Sequence, residues 1–125
     1  MSRESSKKSK SAYMADLRLL IREIRKEMYL CPQKYPTVKG MTEILHISPG
    51  YFRTLYKALF QVSPIQDLLN AKIENAKELL VMTDNTITEI ADRCGFVGEN
   101  YFARAFKTHT KMSPREYRKQ WNYRR

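Results

Sequence analysis

Acidic residues are scarce in this chain: 13 Asp and Glu stand against 23 Lys and Arg, for a formal net charge of +10. A surplus that large excludes an acidic, self-solvating domain and points to a polyanionic partner, either nucleic acid or an anionic membrane surface. Cysteine is limited to Cys31 and Cys94 and histidine to His46 and His109. Neither pair forms a CxxC motif or a Cys/His cluster of metal spacing, so no disulfide framework and no metal site is expected. The four glycines make no phosphate-cradling loop, and no Ser or Cys nucleophile stands in a set with His and an acid. No enzyme, cofactor or catalytic residue is therefore expected. No apolar run approaches the ~18–20 residues of a membrane span. The polar start is followed by Leu17–Ile24, which already carries Arg18, Arg22 and Glu23. It reads as no signal peptide, and a cytoplasmic location with no membrane partner is the expectation.

What remains is helix. With 125 residues, 42% of them hydrophobic, the chain can form one compact domain or two small ones sharing a helix. Residues 1–11 are Ser/Lys-rich without periodicity and read as a disordered basic tail. From Ala12 to Tyr29 apolar residues recur at helical steps: Met14, Leu17, Leu20, Ile21, Ile24 and Met28. Pro32 and Pro36 stop that helix, so 12–36 form an N-terminal helix and linker. Val38, Met41, Ile44 and Leu45 mark a short helix, and Ser48-Pro49 opens another with Phe52, Leu55, Tyr56 and Leu59 on one face. Ser63-Pro64-Ile65-Gln66 starts a long helix to about Met82, with a stripe of Ile65, Leu68, Leu69, Ile73, Ala76, Leu79 and Leu80. At ~1.5 Å per residue it is a rod on the order of 28 Å. Thr86-Ile87-Thr88-Glu89 is a capping box, Gly95 ends the helix it opens, another helix runs from about Glu99 to His109, and Ser113-Pro114 begins the last. No strand-like alternation competes, and the fold class is all-α.

The chain also resembles itself at an offset of fifty residues. Tyr51-Phe52 matches Tyr101-Phe102, Lys57 matches Lys107, and Ser63-Pro64 matches Ser113-Pro114. The preceding short helices align at forty-nine, Met41-Thr42 against Ile90-Ala91, so the second copy has one extra residue in its turn. Each copy is a short helix, a tight turn and a second helix, the layout of a helix-turn-helix. The expected division is 37–63 for the first unit, 64–82 for the linking helix and 83–125 for the second unit with the C-terminal helix. From Asn100 onward the bases are Arg104, Lys107, Lys111, Arg115, Arg118, Lys119, Arg124 and Arg125, against the single acid Glu116, which suits phosphate contact.

The string Ile87-Thr88-Glu89-Ile90-Ala91-Asp92-Arg93-Cys94-Gly95-Phe96, then Tyr101–Lys107 and Met112–Arg118, resembles the signature of the AraC/XylS family of bacterial transcription regulators. Ile73–Leu80 is similar to that family's linking helix, and the resemblance covers roughly Val38 to Arg118. It implies a module of about seven helices whose two recognition helices enter successive major-groove segments of double-stranded DNA. One DNA turn, ~34 Å, is close to the length of the connecting rod. The resemblance assigns base contacts to Gly50, Arg53 and Thr54 in the first unit, and to Glu99, Asn100, Ala103 and Arg104 in the second. The chemistry suits these positions: arginine to guanine, asparagine to adenine, glutamate to cytosine N4, threonine to the thymine methyl. Phosphate contacts fall to Ser48, Lys57, Lys107, Ser113 and Arg115. The first unit departs from the pattern: Thr42 stands where the family has alanine, Thr54 where it has arginine, and His46 and Gln61 where it has glycine. Lys111 takes a glycine position in the second unit. RNA polymerase is a family expectation as a partner, and the chain by itself is expected to be a monomer. The competing reading is a nonspecific, architectural nucleic-acid-binding protein using the same charge.

Overall fold

The computed structural model describes residues 3–35 and 37–121, with side chains from residue 12 onward. Seven α-helices make up the described residues: α1 (Arg3–Leu30), α2 (Val38–Leu45), α3 (Pro49–Phe60), α4 (Pro64–Met82), α5 (Ile87–Arg93), α6 (Glu99–Thr110) and α7 (Pro114–Trp121). A single 3₁₀ turn, Pro32–Lys34, links α1 to α2, and no strand occurs among the described residues.

The helix starts follow the local chemistry. The hydroxyls of Ser48, Ser63, Thr86 and Ser113 each accept the backbone N–H three residues on, at 3.1–3.2 Å. The Glu89 and Glu116 carboxylates accept in return from the capping residue's own N–H; the Thr86 N–H and side chain hold Glu89, and the Ser113 side chain and N–H hold Glu116, below the usual carboxylate range. The N-terminal reading needs correction. Residues 3–11 are not an irregular tail, because α1 begins at Arg3. No glycine or proline occurs between Arg3 and Leu30, so nothing interrupts a helix once the packed part has nucleated it. Met1, Ser2, Pro36 and residues 122–125, including Arg124 and Arg125, lie outside the described residues.

Two separate cores share α4. The first gathers Leu17, Ile21, Ile24 and Met28 of α1 with Met41, Leu45, Phe52, Tyr56, Leu68 and Ala71. The second gathers Ile73, Ala76 and Leu80 with Ile90, Ala91, Cys94, Phe96, Phe102 and Phe106. The handover comes between Ala71 and Ile73, so the front of α4 belongs to one unit and the back to the other. The expected apolar stripes are too wide at their edges: Leu20, Ile44 and Ile65 are more than half exposed. Burial lifts the Cys94 thiol to about 12, which leaves it an inert apolar filler. Gly95 makes the turn between α5 and α6 at φ 83°, a left-handed conformation. A Cβ there would also stand 3.5 Å from the Gln33 backbone.

Candidate nucleic-acid interface

Helices α3 and α6 each bury a pair of aromatic rings four residues apart, Phe52 and Tyr56 in one, Phe102 and Phe106 in the other. That fixes which face each helix turns outward. On α3 the outward face carries Gly50, Arg53, Thr54 and Lys57, all exposed. On α6 the same register carries Asn100, Ala103, Arg104 and Lys107, exposed except for the half-buried Ala103. The spacing i, i+3, i+4, i+7 makes each set one continuous stripe. Among the described residues, Arg53, Lys57, Arg104, Lys107 and Arg115 enter no ion pair, so their charge is available to an outside partner.

The remaining expected contacts divide by what already holds them. The Thr54 hydroxyl donates to the Gly50 carbonyl at 3.1 Å, which spends its proton inside the helix. A Cβ at Gly50 would meet nothing nearer than the Arg53 guanidinium at 3.9 Å, so the arginine reaches over a bare stretch of backbone. Glu99 accepts from Thr88 at 2.7 Å, a bond that ties the start of α6 to α5. Ser48 and Ser113 serve as helix caps, the first exposed and the second half-buried, and Arg115 is exposed as the second residue of α7. Tyr51 and Tyr101 stay 40% and 54% exposed beside the stripes. The Tyr51 hydroxyl donates to the Met14 sulfur at 3.1 Å, and the Tyr101 ring lies 6.1 Å from Phe96.

Two polar anchors behind this surface have no counterpart in the sequence reading. The carboxylate of Asp67, 1% exposed, accepts from Arg25 at 2.6 Å and from the hydroxyls of Tyr29 and Tyr56. Burial pushes this carboxyl up, but the hydrogen bonds from Arg25, Tyr29 and Tyr56 outweigh it and leave the pKa below its ordinary value. The same burial and the bond to Asp67 raise Tyr29 to about 12. Helices α1, α3 and α4 thus meet on one carboxylate. The second anchor is Arg118, which donates to the carbonyls of Leu80 at 3.0 Å and Thr83 at 3.2 Å. It closes the C-terminal end of α4 instead of joining the outward charge. The signal for Asp67 was present but indirect: at the fifty-residue offset it stands opposite Tyr117, a polar residue where the other copy has a ring.

Among the described residues no three His, Cys, Asp or Glu side chains gather as a metal would require, and no helix is long and apolar enough to cross a membrane.

Residues 41–120 match the helix-turn-helix domain family. The chain is similar to an uncharacterized HTH-type transcriptional regulator, YijO, of Escherichia coli strain K12. They are 36% identical over 86 residues, 69% of this chain and 30% of that protein, so the chain spans about a third of its relative's length. It is also similar to the C-terminal domain of AraT, a response regulator from Geobacillus stearothermophilus. There the TM-score is 0.76 and the identity 33%, covering 82% of this chain and 86% of that one. The DNA-binding domain of the global transcriptional factor AdpA, solved in complex with a target DNA, shares the fold at a TM-score of 0.72. That likeness has 23% identity and covers 87% of this chain and 95% of that one.

Proposed function

Since the chain belongs to the AraC/XylS-type helix-turn-helix family, we propose that it binds double-stranded DNA by sequence and regulates transcription, laying α3 and α6 in successive major-groove segments. The observation that carries this reading is the repeated outward stripe. Two helices fifty residues apart present the same four register positions, each with cations that enter no ion pair among the described residues. The α4 rod, 19 residues or roughly 28 Å, spans a distance comparable to one turn of DNA.

Within that reading, Arg104 and Arg53 hold guanine through O6 and N7, Asn100 holds adenine, and the methyl of Thr54 meets a thymine methyl. Gly50 and Ala103 permit close approach. Glu99 is assigned to cytosine N4, in competition with its bond to Thr88. Lys57, Lys107, Arg115 and the exposed Ser48 take phosphates, with Ser113 contributing through its cap. The two units differ, so the site is asymmetric and one copy of the chain fills it. The protein works in the cytoplasm at the bacterial nucleoid, with RNA polymerase as a further partner. No catalytic step is assigned to it.

Selection of bound duplexes from a randomised pool at about 0.15 M salt tests the proposal. The expected product is an asymmetric motif with two blocks about one helical turn apart. Retention of DNA with no enriched sequence would replace the proposal with the architectural reading, in which charge alone binds.

A further inference from the structure

Helix α1 lies outside the residues matched by the helix-turn-helix family, yet it runs beside α3 in the same direction. Near the start of α3 Tyr51 meets Met14, midway along α1, at 3.1 Å, and at the end of α3 the Arg25 guanidinium, further along α1, lies 4.6 Å from the Phe60 ring centre. Arg18 and Arg22 are one and two turns beyond Met14 on this flank, and both are exposed. Arg22 borders the groove formed with Arg25, Lys26, Tyr29 and Phe60. At ~100° per residue they lie within about 80° of Met14, whereas Asp16, Glu23 and Glu27 lie about 140–180° from it. The helix therefore turns bases toward α3 and acids away. Lys26 pairs with Glu23 and Arg25 with Asp67, but among the described residues Arg18 and Arg22 have no acidic partner.

We propose that α1 is a third DNA-contacting element, in which Arg18 and Arg22 bind phosphates on the strand bordering the groove that α3 enters. This rests on the function proposed above. The geometric reason is width. The major groove is about 12 Å wide and a helix with its side chains about 10–12 Å across, so a helix filling the groove has a phosphate ridge along each flank. A helix packed against α3 that carries exposed cations without an acidic partner is within side-chain reach of that ridge.

The test is the salt dependence of duplex binding by the full chain, comparing the R18A/R22A double variant with K107A and with the outer-face variant D16N. R18A/R22A should weaken specific and random duplexes alike and flatten the slope of log K against log salt by about 1.8, or ~0.9 per phosphate. R18K/R22K should restore the slope, because a point charge suffices for phosphate, and D16N should leave it unchanged. A wild-type slope in R18A/R22A alongside a flattened slope in K107A would overturn this inference and leave the proposed function standing. A loss that R18K/R22K does not restore would also overturn it, since packing and not charge would then be the cause. Absence of duplex binding by the wild-type chain would instead remove the proposed function itself.

Discussion

In the second unit Tyr117 packs edge-on against Phe106, with ring centres 5.3 Å apart at 81°. Fifty residues earlier the same two positions hold Asp67 and Tyr56, joined by a buried hydrogen bond. One unit closes with an aromatic pair; the other has exchanged that pair for a carboxylate and a phenol. The exchange has a consequence for architecture. A buried carboxylate needs a cation and further donors, since an unpaired charge out of water costs several kcal/mol. Both come from α1, as Arg25 and Tyr29. The first unit is thereby bound to a helix that the repeat itself does not contain, while the second leans on α4 through apolar contacts and the Arg118 cap. The two units share the geometry of α3 and α6 and differ in the chemistry behind them.

Removing that carboxylate is the largest perturbation available to the comparison. Asp67→Ala should cost about 3 kcal/mol in urea unfolding, the lower part of the range for breaking a buried pair, because Arg25 keeps a side-chain exposure of 37%. The loss should fall on the contacts of α1 with α3 and α4. A cost below about 1 kcal/mol would mean that apolar packing alone seats α1. The sign with pH is fixed by the lowered pKa of Asp67. Its contribution is fully present above the unfolded carboxyl value near ~3.9 and disappears as pH falls through the lower folded value. Tyr29, raised to about 12, acts oppositely: its contribution is present below ~10 and is lost as pH climbs toward 12. Asp67→Ala should flatten both limbs.

On the outward faces the units differ by where the arginine sits, Arg53 in α3 and Arg104 one register position later in α6. Arg104→Ala should weaken binding to the selected duplex by roughly 1–3 kcal/mol and relax one base pair. Thr54→Ala, its counterpart, should cost less, since the Thr54 hydroxyl is already bonded to Gly50. Equal losses on selected and random DNA for Arg104→Ala would reduce that arginine to a phosphate contact. The N-caps give a third contrast. Ser48 caps α3, whereas α6 starts at Gly98 with no side-chain cap. Ser48→Ala should therefore destabilise the first unit by about 1 kcal/mol. An unchanged thermal midpoint would show that Pro49 alone sets the start.

Most of the frame was legible because it is written locally. The Ser-Pro starts, the capping box at Thr86 and the turn at Gly95 each rest on residues within one helical turn of the structure they cause. The inward faces of α3 and α6 were legible from the aromatic spacing, whereas the outward contact residues came from the family resemblance. Three features were not legible. The start of α1 was missed because residues 3–11 carry no apolar periodicity to mark a helix. The exposure of Leu20 and Ile65 was missed because residues at the edge of a stripe fall on either side of the core boundary. The Asp67 cluster joins groups up to 42 residues apart, and no short window contains it.

The left-handed positions sharpen the comparison by the smallest amount and test it most directly. His46, Gln61 and Lys111, the three positions where family resemblance calls for glycine, are the non-glycine residues with positive φ among the described ones, at 55°, 57° and 71°. Each ends a helix. A side chain in this conformation costs roughly 1–2 kcal/mol, and glycine returns ~0.5–1 of that through the greater freedom of its unfolded chain. His46→Gly, Gln61→Gly and Lys111→Gly should each stabilise the fold by about 0.5 kcal/mol, seen as a rise in the urea midpoint at constant slope. Gln61 and Lys111 are repeat partners, with matching backbone bonds of 2.8 Å to Lys57 and Lys107. Their gains should differ only because the Gln61 amide also donates to the Ala58 carbonyl at 3.1 Å, a bond that glycine removes. Lys111→Gly should therefore gain a few tenths of a kcal/mol more than Gln61→Gly. The reverse order would mean that the two helix ends, alike in backbone, are not alike in strain.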